Sequence, residues 1–164
     1  MGIRQVEVQR FSLVSGKSID DVMASLDAAV GHPDMSAFFH MVAATKTTAD
    51  LETLVGEAVG PTGLMEFARF DMGTILRMYH GEKAPRCFRL LIGNPLIMKQ
   101  MAEHVPDAAA YAPVTILIDE RSDGVHVSYD RVASFLAPYG NAAALKVAQD
   151  LDAKIEGLLA EACN

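Results

Sequence analysis

Two hydrophobic periods take turns along this chain. Val6 and Val8, then Phe11 and Leu13, alternate with Gln5, Glu7, Gln9 and Ser12, which predicts a first, edge-like strand with a phase slip near Arg10. Ser15-Gly16-Lys17 is a turn, and Ser18-Ile19-Asp20-Asp21 then carries the Ser-x-x-acid signature of a helix start. Ile19, Val22, Met23, Leu26 and Val30 recur at helical spacing up to the stop at Gly31. His32-Pro33-Asp34 opens a second helix with Met35, Phe38, Phe39 and Val42 on one face. Thr47 or Thr48 caps a third, whose apolar side holds Leu51, Leu54, Val55, Ala58 and Val59, and Gly60-Pro61-Thr62-Gly63 ends it.

The second half is richer in strands. Met65 to Asp71 reads as a strand, Gly73 to Tyr79 as a short helical turn, and Arg86 to Ile92 as a mostly apolar, central strand. Asn94 and Pro95 suit the cap and first position of the next helix, whose buried stripe is Ile97, Met98, Met101, Ala102 and Val105, and which Pro106 closes. Val114 to Ile118 is β-rich, Asp123-Gly124 signals a hairpin, and Val125, Val127 and Tyr129 alternate with His126, Ser128 and Asp130. Asn141 caps a last helix with an apolar seam of Ala144, Ala148, Leu151, Ile155, Leu158 and Ala162. The order β-α-(α-α)-β-β-α-β-β-α predicts an α+β fold: one mainly antiparallel sheet of about five strands with helices packed on one face. A length of 164 residues fits a single domain, 1–164.

Composition narrows the function classes. Fourteen Lys and Arg against 21 Asp and Glu give a formal charge of −7, which argues against a general binder of nucleic-acid phosphates. The longest apolar stretch, from Ala108 to Ile118, is far below the roughly 20 residues of a membrane span, so no membrane partner is expected. Cys87 and Cys163 have no zinc-like spacing, and the N-terminus has no apolar signal region. These features predict a cytoplasmic protein. Hydrophobic residues make up 51% of the chain, so a sheet face left uncovered would be expected to meet a partner subunit or a ligand.

Four segments then carry a resemblance: Phe67 to Gly73, Arg89 to Pro95, Pro106 to Ile118, and Asp123-Gly124 with Tyr129-Asp130. In order and spacing they resemble the bacterial family called domain of unknown function 302. That resemblance implies a compact α+β domain that dimerises, with no reaction attached to it. The two helices of residues 33–60 look like an insertion relative to shorter members.

Candidate chemistry concentrates between Met65 and Tyr111. Asp71 and Arg69 share one face of their strand, and Arg89 lies on the next. If the strands are neighbours, Asp71 can pair with Arg69 or Arg89 as a clamp for an acidic ligand, or as a structural salt bridge. Asn94, at a helix start, either helps to hold an anion or is an ordinary cap. Tyr111 lines either a pocket mouth or a subunit interface. His80 can act as a general base with Asp71, or with Met72 and Met78 hold haem or copper, or be a solvated loop residue. A Ser128, His126, Asp130 triad is rejected, because side chains at alternate strand positions stand parallel.

The leading expectation is a homodimeric, non-catalytic module for a small anionic ligand, with Arg69, Asp71, Arg89, Asn94 and Tyr111 as binding residues and no cofactor. The alternatives are an enzyme working through Asp71 and His80, and a haem- or metal-binding protein.

Overall fold

The computed structural model describes residue 3 and residues 5–164. Its strands are β1 (Arg10–Ser15), β2 (Met65–Asp71), β3 (Cys87–Gly93), β4 (Val114–Arg121) and β5 (Gly124–Asp130). They form one antiparallel sheet in the order β1-β5-β4-β3-β2. Among the described residues there are seven α-helices: α1 (Ile19–Ala29), α2 (Met35–Ala44), α3 (Thr48–Ala58), α4 (Gly73–His80), α5 (Pro95–Ala102), α6 (Val132–Leu136) and α7 (Ala142–Cys163). The fold is α+β, and none of these helices is long and apolar enough to cross a membrane.

Helix starts follow side-chain chemistry. Ser18, Asp34, Thr47, Asn94 and Asn141 each accept a hydrogen bond from a first-turn amide, and Thr47 with Asp50 completes a capping box. Each cap satisfies an amide that the helix itself leaves without a partner.

The pleat sorts the sheet into two faces. Leu90, Ile92, Ile116, Ile118, Val125, Val127 and Tyr129 are buried on one side, in a single cluster with α1, α5 and the Ala144–Ala148–Leu151–Ile155–Leu158 seam of α7. Each Leu or Ile removed from water there contributes about 1.5–3 kcal/mol. Helices α2 and α3 build a smaller cluster around Phe38, Val55 and Met65 at the β2 end of the sheet.

Four local expectations need correction. The first strand starts at Arg10 rather than near Gln5, because only from Arg10 onward does β1 find a partner in β5. Helix α5 ends at Ala102, and Pro106 opens a 3-10 turn (Pro106–Ala110) instead of closing the helix. The hairpin turn is Ser122-Asp123, with Gly124 already paired to Arg121. Gly124 has φ of 140°, and a Cβ there would lie 2.7 Å from the Ser15 carbonyl oxygen. Finally, α6 has no counterpart in the predicted order, since five residues are too few to show a helical period.

Candidate functional site

The second face of the sheet carries the candidate site. Register places Ser12 opposite Ser128, Ser128 opposite Leu117, Leu117 opposite Arg89, and Arg89 opposite Phe70, one row across all five strands. Beside it, Arg10 lies opposite Asp130, and Thr115 opposite Leu91. These side chains are exposed or half-buried, in contrast with the sealed face behind them. At one end the chain rises above the sheet. Tyr111, from the turn before β4, stacks on Phe135 of α6 with ring centroids 4.7 Å apart and planes 7° from parallel. Between this aromatic wall and these sheet positions lies a cavity of about 380 Å³, lined by Arg10, Arg89, Tyr111, Pro113, Thr115, Leu117, Ser128, Asp130 and Phe135 among others.

The two arginines of the cavity differ electrostatically. Arg10 donates from Nε to Asp130 Oδ1 at 2.7 Å and from a terminal nitrogen to Oδ2 at 3.0 Å. That bidentate bond with Asp130, reinforced by its charge, raises the guanidinium pKa further. Arg89 has no carboxylate within ion-pair distance among the described residues; its guanidinium lies 6.0 Å from the Phe70 ring centroid. A cation–π contact of that length leaves its donors available.

The aromatic wall is anchored from behind. Tyr139 donates to Asp107 Oδ2 at 2.7 Å, and that bond, together with the neighbouring Tyr111 hydroxyl, pushes its own pKa upward. Phe135 depends on α6, whose first amides reach across to a buried carboxylate on α7. Asp152 is completely buried and accepts from Val132 N at 2.8 Å, Ala133 N at 3.0 Å and the Tyr129 hydroxyl at 3.3 Å. Burial pushes the Asp152 pKa up, partly offset by the two amide bonds. Burial likewise raises Tyr129, helped by Asp152 and Glu156.

The structure brings together only two of the five expected binding residues, Arg89 and Tyr111. Asp71 pairs with neither Arg69 nor Arg89. It accepts from Thr74 N at 3.0 Å, Thr74 Oγ1 at 2.9 Å and Arg77 at 2.8 Å, so it caps the α4 end of its own strand. The Arg77 and Thr74 hydrogen bonds lower its pKa, which makes it a weak base. Arg69 turns to the other face and bonds Glu66 at 2.7 Å and Asp27. With His32, those two carboxylates form a cluster of metal-ligand type, but the Arg69 guanidinium already occupies the space between them. Asn94 accepts from Leu96 N at 2.8 Å and donates to the Gly63 carbonyl at 2.9 Å, so its amide is spent as a cap. It borders a separate apolar depression of about 230 Å³ with Phe39, Phe67 and Met98.

His80 ends α4, exposed, with no hydrogen bond or ion pair to Asp71 among the described residues. Met78, two residues earlier, projects about 200° around the helix, while Met72 lies about 12 Å along it. The three do not converge on a haem or copper ion. His126 bonds Asp123 at 2.8 Å, and Asp130 is held by Arg10, so no triad forms.

Arg10, Thr115, Leu117, Ser128, Asp130 and Phe135 line the cavity without having been expected as binding residues from the sequence. For Ser128 and Asp130 the signal was present in the polar phase of β5. Phe135 had none, because α6 is too short to be seen.

Comparisons with known proteins come to an architecture. Residues 40–162 match the family described as "Domain of unknown function DUF302". A crystal structure of an uncharacterized conserved DUF302 protein from Bacillus stearothermophilus is similar, with a TM-score of 0.65 over 94% of this chain and 98% of that one, at 10% identity. No curated protein matches.

Proposed function

Starting from the chain's membership of the DUF302 family, we propose that this domain is a non-catalytic binding module that holds a small anionic ligand on the open face of its sheet. The observation that carries this reading is Arg89: an exposed guanidinium with no carboxylate partner among the described residues, in a cavity beside an aromatic wall. An arginine fork whose donors are free matches a carboxylate or phosphate better than any other group. Acid–base catalysis through Asp71 and His80 has less support, because Asp71 is committed to Thr74 and Arg77. The two free thiols, Cys87 and Cys163, suit a reducing, cytoplasmic setting.

Titration of the full chain with acetate, followed by amide chemical shifts, tests the reading. Shifts should concentrate at Arg89, Thr115, Leu117 and Ser128 and vanish in Arg89→Gln. Shifts scattered over the surface, or unchanged by the substitution, would refute it.

A specific observation favours self-association as well. Met72, Ile75, Leu76 and Tyr79 occur at the i, i+3, i+4, i+7 spacing that normally faces a core, yet they are 37%, 54%, 39% and 82% exposed. Phe70 and Met78 extend the patch. A second copy of this chain is the partner proposed, giving the homodimer. Ile75→Glu combined with Tyr79→Lys should convert a dimer to a monomer in sedimentation analysis; a wild-type chain monomeric at high concentration would remove this reading.

A further inference from the structure

We infer that the open-face cavity takes an amphiphilic monoanion, a molecule with one carboxylate-type group for Arg89 and a flat apolar body against the Tyr111–Phe135 wall. This rests on the anion-site reading and adds the ligand's charge count and shape.

The charge count follows from the ion pairing. Of the two arginines in the cavity, Arg10 spends Nε and a terminal nitrogen on Asp130. One positive charge is left in excess, at Arg89. Strands β1 and β3 are three spacings apart, which separates the two arginine backbones by about 14 Å or more. A second anionic group reaching toward Arg10 would meet the Asp130 carboxylate at the same place. Repulsion there selects against dianions.

The shape follows from the wall. Tyr111 and Phe135 lie stacked, with ring centroids 4.7 Å apart, at the edge of the cavity. Their rings, with Pro113 and Leu117, give the cavity an apolar side that continues toward Arg89. Aromatic rings favour flat, offset-stacked partners over compact ones. Thr115 and Ser128 supply neutral hydroxyls on the floor. A volume of about 380 Å³ suits a small ligand.

The test is a calorimetric or NMR titration of the full chain with 2-naphthoate, 2-naphthamide, acetate and succinate. Naphthoate should bind at least about tenfold tighter than either acetate or naphthamide, and succinate no tighter than acetate. Arg89→Gln should lower naphthoate affinity to that of naphthamide. Phe135→Leu, which keeps apolar bulk and removes the flat ring, should weaken naphthoate and leave acetate unchanged. Acetate or succinate binding as tightly as naphthoate, with Arg89→Gln still abolishing both, would overturn the ligand class while leaving an anion site. Carboxylate binding indifferent to Arg89→Gln in a folded variant would overturn the anion site itself and this inference with it.

Discussion

The buried carboxylate of Asp152 should decide whether the cavity has a wall. Its two oxygens divide the work: Oδ1 takes the Val132 amide and the Tyr129 hydroxyl, Oδ2 takes the Ala133 amide. Asp152→Ala strips both amides of their acceptor, and Val132 is itself buried. A hydrogen bond to a charged acceptor contributes about 1.5–3 kcal/mol. The Tyr129 hydroxyl adds little, because at 3.3 Å it is long and Glu156 lies 3.4 Å away as an alternative. The loss of the α6 cap is the same two bonds counted again. The expected cost for Asp152→Ala is about 3–6 kcal/mol. Asp152→Asn keeps one oxygen and sets an amide against the other donor, at about half that cost. For a chain of this length, thermal unfolding by circular dichroism should fall on the order of 10 °C for Ala and 5 °C for Asn. Because α6 presents Phe135, naphthoate binding should weaken in both. Two variants melting within about 1 °C of wild type would refute the argument.

Asp152 also gives a signed pH dependence. Burial raises its folded-state pKa above the ordinary value of 3.8. The folded chain thus holds this proton more tightly than the unfolded one. The group's contribution to stability is fully present below pH 3.8 and declines as pH rises through the raised value. Asp152→Asn removes that decline, so its deficit against wild type should narrow between pH 4 and pH 7. A deficit that widens over that range reverses the sign and sinks the reading.

Three further outcomes are expected. Asp71, with its pKa lowered chiefly by Arg77 and then Thr74, contributes stability above pH 3.8 that is lost as pH falls through the lowered value; Asp71→Asn should reduce hydrogen-exchange protection of the Thr74 amide while the core is unchanged. Gly31→Ala puts a Cβ 1.9 Å from the Ala58 carbonyl oxygen, and because backbone cannot step aside the cost should be about 3 kcal/mol or more in denaturant unfolding. Arg69→Met breaks only partly exposed ion pairs with Glu66 and Asp27 and should shift the midpoint by about 1 kcal/mol or less.

Elements with long periods or strong caps were legible from sequence. The α7 seam is buried at every predicted position, Asn94-Pro95 begins α5, and β2 spans Met65 to Asp71 as its pattern indicates. What escaped was short or cooperative. Helix α6 has five residues and is held by a carboxylate twenty positions away, so nothing local announces it. The α4 stripe was visible as a helical turn, but a stripe facing solvent reads in sequence like one facing a core.

The misplacement of Arg69 and Asp71 has a single physical cause, a register shift. At its start β2 sets Met65 opposite Gly93 and Glu66 opposite Ile92. Continued without interruption, that pairing would put Arg69 directly opposite Arg89 and Asp71 opposite Cys87, all on one face. Two guanidiniums facing each other across a strand pair repel. Instead one extra residue enters β2 between Glu66 and Ala68, and Arg69 falls opposite Leu90, Phe70 opposite Arg89 and Asp71 opposite Phe88. A slip of one residue exchanges the faces of everything beyond it. Arg69 thereby reaches Asp27 on α1, Asp71 is left to Thr74 and Arg77, and Arg89 faces an aromatic ring in place of a second guanidinium. Strand alternation cannot reveal such a bulge, because each half of β2 alternates correctly on its own. The same insertion that dissolves the expected Asp71 clamp is what leaves Arg89 free on the open face.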